Sequence, residues 1–330
     1  MERFRQAQHP GSAEASEPTF KQWSGQHELV DSSASPWREP SGAPVPVTVP
    51  VDLAPGVSVA YTTRLGGVSQ GDYASLNLGG KGDDPAAVTS NREALGRALG
   101  AQLVLVSQVH SGRAVDADAL LADQLKDVEA DGLVSAQTGL ALGVFAADCL
   151  PVLLADPEAG VIGAAHCGRK GLERGIIGAT VDLMEAKGAR RGSISATLGP
   201  AICGDCYELG EGISDAFGRR FPGATTSTSF GGPGVDISAA ALQDLQTAGV
   251  TRVVDSLPRI AAASRYLRED QELADLCADD GQGPALTQRM ADLRHPRCTL
   301  ENPLWYSHRR SSLAERQGEG RMLALVTRQG

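Results

Sequence analysis

Apolar positions are densest in the middle of the chain. Residues 140–154, LALGVFAADCLPVLL, are hydrophobic almost without interruption. A strand with one face in water alternates instead, so this run predicts an extended element covered on both sides. A shorter run at 160–165 predicts a second buried strand, ending at His166-Cys167-Gly168, where a glycine lets the backbone turn. Cys149 falls inside the first run and His166 at the end of the second. Asp148 and Lys170 place charge beside them, which a core tolerates only when it is paired or solvated.

The flanking pattern supplies the remaining elements. β-Branched residues at 47–51 and 57–62 predict strands, and 86–99 carries helical spacing with Gly100 just beyond its end. A strand over 103–109 would end at Gln108-Val109-His110, and Asp131-Gly132 opens another. Helices are predicted over 171–187, 214–221 and 236–249, and strands over 193–198, 250–255 and 322–326. Strand and helix units without an internal repeat place the chain in the mixed α/β class. Residues 1–45, rich in Ser, Pro, Gln and Gly, predict a disordered or loosely attached arm. Residues 46–330 then form a single domain, with a polar, acidic inserted segment at about 256–297.

Composition narrows the function classes. The 330 residues are 42% hydrophobic with a net charge of -10, enough for a large core and unlike a protein that neutralises nucleic-acid phosphates. No run approaches the roughly 20 apolar residues of a membrane span, and the N-terminus lacks the apolar core of a signal peptide. A cytoplasmic protein acting on small molecules is the expectation, and its six cysteines read as thiols. Cys203 and Cys206 form a CxxC, which alone reads first as two half-buried thiols and second as a redox or metal pair.

His110, Cys149 and His166 offer two imidazoles and a thiolate, which suit zinc and leave a fourth position open. The same residues also support a metal-free reading, with Cys149 as nucleophile, His166 as base and Asp148 or His110 as orienter. Arg64, the glycines after it and Asn77 form either a polar loop or an anion or ribose site.

Several segments together, TTRLGGVS with SLNLGG, SQVHSG, ADGLVS, ADCLPVLLAD, GAAHCGRKG, GPAICGDCYELG, CT, WYSHRR and GRM, resemble the YfiH family, also called laccase-domain, polyphenol oxidase or peptidoglycan editing factor proteins. The resemblance runs in order from about residue 57 to 326. It implies a four-layer α/β/β/α fold, with two sheets packed together and helices on the outer faces. It also implies a zinc-dependent purine nucleoside phosphorylase acting on adenosine, inosine and methylthioadenosine, with adenosine deaminase activity. The implied zinc ligands are His110, Cys149 and His166. Phosphorolysis needs positive charge for phosphate, available from Arg64, Lys170, Arg309 or Arg310 with Asn77, and Asp148 is the candidate proton carrier. The alternatives are a hydrolase editing peptidoglycan precursors through Cys149 and His166, a copper-dependent phenol oxidase, and a non-catalytic cell-division partner. Copper chemistry would ask for more histidines than the spare ones, His27, His295 and His308 among them, can add. One departure stands out: HCGRKG replaces the family's HAGWRG, which removes an aromatic platform and exchanges a bidentate arginine for a lysine.

Overall fold

The computed structural model describes residues 42–281 and 283–329. The arm expected over 1–45 therefore lies outside the described residues except for 42–45, of which Pro44 is buried. The strands are β1 (Thr48–Ala54), β2 (Val57–Thr62), β3 (Gln102–Val104), β4 (Ala114–Asp116), β5 (Gly132–Ser135), β6 (Leu140–Ala146) and β7 (Leu150–Asp156). They continue as β8 (Val161–Cys167), β9 (Ser195–Leu198), β10 (Thr225–Ser227), β11 (Pro233–Val235), β12 (Arg252–Val254) and β13 (Met322–Arg328). One sheet runs β1-β2-β13-β6-β3 and the other β12-β9-β7-β8-β5-β4, with β10 and β11 as a separate hairpin.

Alternation along the central strands sorts their apolar side chains between layers. On β7, Leu153 and Ala155 face the core between the sheets, whereas Leu150, Val152 and Leu154 face the outer core. That outer core also takes Ile176, Ile177, Val181, Phe217, Ala241 and Leu245 from the helices Ile176–Ala186, Glu211–Arg220 and Ile237–Thr247. On the far side, Leu323 and Leu325 of β13 meet Leu95 and Leu99 of the helix Pro85–Leu99. Met322, Ala324 and Val326 turn inward from the same strand. Two sheets with helices outside each are the four layers expected. Each buried Leu or Val stabilises this arrangement by about 1.5–3 kcal/mol.

Several boundaries differ from the pattern reading. The 140–154 run is two strands in different sheets: β6 belongs to the first and β7 to the second, and the chain crosses at Ala147-Asp148-Cys149. Cys149 is thus on the link between sheets. The strand expected over 103–109 pairs in a sheet only over Gln102–Val104, leaving His110 on a loop. The helix expected over 171–187 is two, Arg169–Glu173 and Ile176–Ala186, separated at Gly175, whose φ of 76° ends the first and starts the second. The segment 256–297 forms the helices Leu257–Tyr266, Gln271–Asp279 and Leu286–Ala291, and buries Ile260, Ala263, Leu267, Leu273 and Leu276 in the core between the sheets.

Candidate metal centre

Three chain segments bring His110, Cys149 and His166 together. One ligand atom from each lies within 4.8 Å of the others, and Cys149 Sγ is 3.6 Å from His110 Nε2. The two imidazoles meet edge to face with centroids 4.8 Å apart. His166 is buried at the end of β8, Cys149 is half-buried, and His110 is exposed. His110 and Asp148 have φ of 58° and 87°, left-handed conformations that non-glycine residues rarely hold. Such backbone persists only where its surroundings over-determine it, and it concentrates at functional sites. Gly168 closes the floor: a Cβ there would lie 2.8 Å from Cys149 Sγ and 2.9 Å from His110 Cδ2.

The organiser of the cluster is Asp131. Its Oδ1 accepts from His110 N–H at 3.0 Å and is 2.7 Å from His166 Nδ1. Its Oδ2 accepts from Ser111 N–H at 2.5 Å and from the Ser111 hydroxyl at 2.7 Å. Arg174 fixes the same loop by donating to the His110 carbonyl. Burial works against charge on all three central groups, and mutual attraction outweighs it. The Cys149 thiol falls to about 6 beside His166 and His110. His166 rises to about 9 beside Cys149 and Asp131. Asp131 falls to about 2, held as a carboxylate by His166 and Ser111.

Other residues expected at the site are placed differently. Both carboxylate oxygens of Asp148 are engaged, Oδ1 by the Thr299 hydroxyl and Oδ2 by Arg309 N–H, both at 2.6 Å. The carboxylate in contact with the His166 imidazole is Asp131, not Asp148. Arg64 is buried, with both terminal nitrogens on Asp280 at 2.8 and 3.1 Å. Arg310 is buried too, donating to the Thr299 and Trp305 carbonyls and lying 3.3 Å from Asp280. Asn77 holds its own loop, donating to the Gly79 carbonyl and Asp83 and accepting from Gly79 and Arg321 N–H. These contacts make Arg64, Arg310 and Asn77 parts of the fold. Arg309 donates to the Glu208 carbonyl at 2.9 Å, with its guanidinium 5.9 Å from the centre of the Tyr207 ring. Lys170 is exposed on the helix that follows His166. Pattern reading did not single out Asp131. Asp131 stood in the quoted ADGLVS segment, where its only signal was the strand it opens.

The donor set fits a cation. Two imidazoles and a thiolate with His166 Nδ1 held by a carboxylate match a three-ligand zinc centre with an oriented histidine. Among the described residues, the spare histidines do not join this set, and His9 lies outside those residues. His27 lies outside the described residues, His295 faces Glu301 at 2.8 Å, and His308 faces Glu319 at 3.1 Å. No helix among the described residues is long and apolar enough to cross a membrane.

Comparison with known proteins identifies the family. Residues 58–271 match the family model described as multi-copper polyphenol oxidoreductase laccase. A purine nucleoside phosphorylase of Streptomyces griseus is 46% identical over 196 residues, spanning 58% of this chain and 80% of that protein. One of Corynebacterium glutamicum is 43% identical over 207 residues, spanning 62% and 84%. Among solved structures, a Neisseria meningitidis protein is 31% identical with a TM-score of 0.65, covering 87% of this chain and 100% of that one. The Bacillus licheniformis hypothetical protein YfiH, at 24% identity and a TM-score of 0.66, shares the fold over 87% of this chain and 97% of its own. With its family model, its relatives and its four layers in agreement, the chain belongs to the YfiH, or laccase-domain, family.

Proposed function

We propose that this chain is a zinc-dependent purine nucleoside phosphorylase that joins phosphate to the sugar of adenosine, inosine or methylthioadenosine and releases the free base with ribose 1-phosphate, or with 5-methylthioribose 1-phosphate from methylthioadenosine. The observation that carries the reading is the convergence of His110, Cys149 and His166 on one point, with Asp131 holding His166. The relatives named purine nucleoside phosphorylase support the reaction class.

His110, Cys149 and His166 would hold the zinc ion, which when bound supplies Lewis-acid charge. The chain's own residues do the rest. Asp131 fixes the ring of His166 and leaves its Nε2 as the nitrogen available to the centre. Arg309 and Lys170 supply positive charge for phosphate and for the negative charge that develops as the glycosidic bond breaks. Tyr207, beneath the Arg309 guanidinium, offers the purine an aromatic face where HCGRKG has lost one. Adenosine deamination, a second activity of the same centre, would replace the 6-amino group with oxygen from water and release ammonia.

The test pairs zinc content with phosphate-dependent release of hypoxanthine from inosine, in wild type and Cys149→Ala. The expected result is that Cys149→Ala loses one equivalent of zinc together with the release. Zinc without release would move the substrate elsewhere. Failure of the trio to bind any metal would overturn the zinc mechanism and favour a Cys149 nucleophile with His166 and Asp131 behind it. Ammonia release from adenosine tests the deaminase activity separately.

A further inference from the structure

A second group of metal-ligating side chains lies outside the trio. Cys203 and Cys206 of the CxxC, Cys298 and Glu301 each present one ligand atom, all within 4.8 Å of one another. Local structure aims them. The N–H groups of Cys206 and Tyr207 both donate to the Cys203 carbonyl, at 3.0 and 2.9 Å, closing the turn that turns both thiols to one side. Cys298 arrives from far along the chain. Ala201 and Cys298 form a β-bridge flanked by Ala201 N–H to the Arg297 carbonyl at 3.0 Å and Thr299 N–H to the Ala201 carbonyl at 3.1 Å. Cys203 N–H then points at Cys298 Sγ, 3.5 Å away, the amide-to-sulfur contact that favours a thiolate.

Glu301 completes the group, its Oε1 3.6 Å from Cys206 Sγ and 3.9 Å from Cys203 Sγ. Its carboxylate is held in turn. Oε2 accepts from Arg294 and His295 N–H at 3.2 and 3.1 Å, and His295 Nδ1 sits 2.8 Å from Oε1. This is how an outer layer of donors orients a metal ligand. The cysteines are all free thiols, and Cys206 and Cys298 are buried. Three sulfurs and one oxygen converging at a half-buried point would repel one another once ionised, and a divalent cation offsets that charge.

We propose that Cys203, Cys206, Cys298 and Glu301 bind a second zinc ion, structural and distinct from the ion proposed for His110, Cys149 and His166. Three thiolates select zinc over hard cations, and a fourth protein ligand closes the tetrahedron, as in structural sites. The ion fastens the loop after β9 to the segment 297–302. Both segments touch Asp148: Ile202 N–H donates to its carbonyl at 3.0 Å and the Thr299 hydroxyl to its side chain at 2.6 Å. The second zinc therefore braces the left-handed residue that precedes Cys149.

The test uses full-length His110→Ala/Cys149→Ala/His166→Ala protein, so that failure of the first centre and failure of this one are separable. After desalting, the expected result is one zinc per chain, with an X-ray absorption shell dominated by sulfur at about 2.3 Å. Adding Cys206→Ser should abolish it. If these variants do not fold, wild type decides: two zinc per chain, released as a mercurial blocks Cys203, Cys206 and Cys298, supports the site. A folded trio variant without metal, a wild-type zinc content that Cys206→Ser leaves unchanged, or a disulfide within the cysteine group of freshly alkylated protein overturns it.

Discussion

Asp131 Oδ1 stands 2.7 Å from His166 Nδ1 and also receives the His110 backbone N–H, so one carboxylate orients one candidate ligand and fixes the loop of another. This relationship makes Asp131 the residue whose removal should disturb the centre most without touching the metal position itself. Asp131→Asn is expected to weaken zinc binding about 10–100-fold, read by competition with a chromogenic chelator.

The same carboxylate predicts an acid-dependent stability difference. Its folded value of about 2 lies below the ordinary 3.8, so its contribution is fully present above about pH 4 and is lost as pH falls through about 2. Urea unfolding of zinc-free wild type and Asp131→Asn should therefore show a stability gap at pH 5 that narrows between pH 4 and pH 2. A gap independent of pH over that window would assign the effect to packing.

Cys149 is depressed to about 6 in the metal-free protein, so its thiolate dominates at neutral pH. Iodoacetamide labelling of chelator-treated protein, followed by peptide mapping, should rise through about pH 6 at Cys149. Unperturbed thiols rise near pH 8.5. His166→Ala removes the strongest attraction on the thiolate and should move the Cys149 profile upward, and added zinc should protect the residue.

Gly168→Ala tests the close approach beneath the centre. The new Cβ would meet Cys149 Sγ at 2.8 Å and His110 Cδ2 at 2.9 Å, both shorter than real carbon contacts allow. The turn has ordinary φ at Gly168, so backbone strain does not enter. Zinc affinity and inosine turnover are expected to fall at least tenfold, an order of magnitude typical of displaced supporting groups, while circular dichroism stays unchanged.

Arg64 separates a structural role from a substrate role. Its guanidinium pairs with buried Asp280, which Arg310 and Arg316 also approach at 3.3 and 3.5 Å. Arg64→Ala should destabilise the protein by about 3–5 kcal/mol, as when a buried ion pair loses one partner, and leave the KM for phosphate of the folded fraction unchanged. Arg309→Ala should do the reverse, raising that KM with little loss of stability.

What the sequence conveyed follows from which forces are local. Continuous apolarity at 140–154 does mark backbone covered on both faces, because Leu150, Val152 and Leu154 fill one core and Leu153 and Ala155 the other. It could not reveal that the chain changes sheets at Ala147-Asp148-Cys149, since an apolar link between two buried strands has the same composition as the strands. The three candidate ligands do come together in space, and the ordered motifs that carry them were legible. The partner of His166 was not, because Asp131 and Asp148 both lie beside apolar runs, and only the register of β5 against β8 decides which reaches the ring. Arg64 and Arg310 looked like anion binders for a related reason: their acidic partner is Asp280, 216 positions from Arg64.

The crossing at Ala147-Asp148-Cys149 has a mechanical consequence. His110 follows β3 of one sheet, His166 ends β8 of the other, and Cys149 sits on the link between them. An ion held by all three rivets the two sheets at their shared seam. Stabilisation by bound metal is then transmitted to the whole molecule and not to one loop, since neither sheet can loosen from the other while the rivet holds. The metal-loaded chain should melt as one cooperative unit, and stripping the ion should let the sheets separate before either unravels.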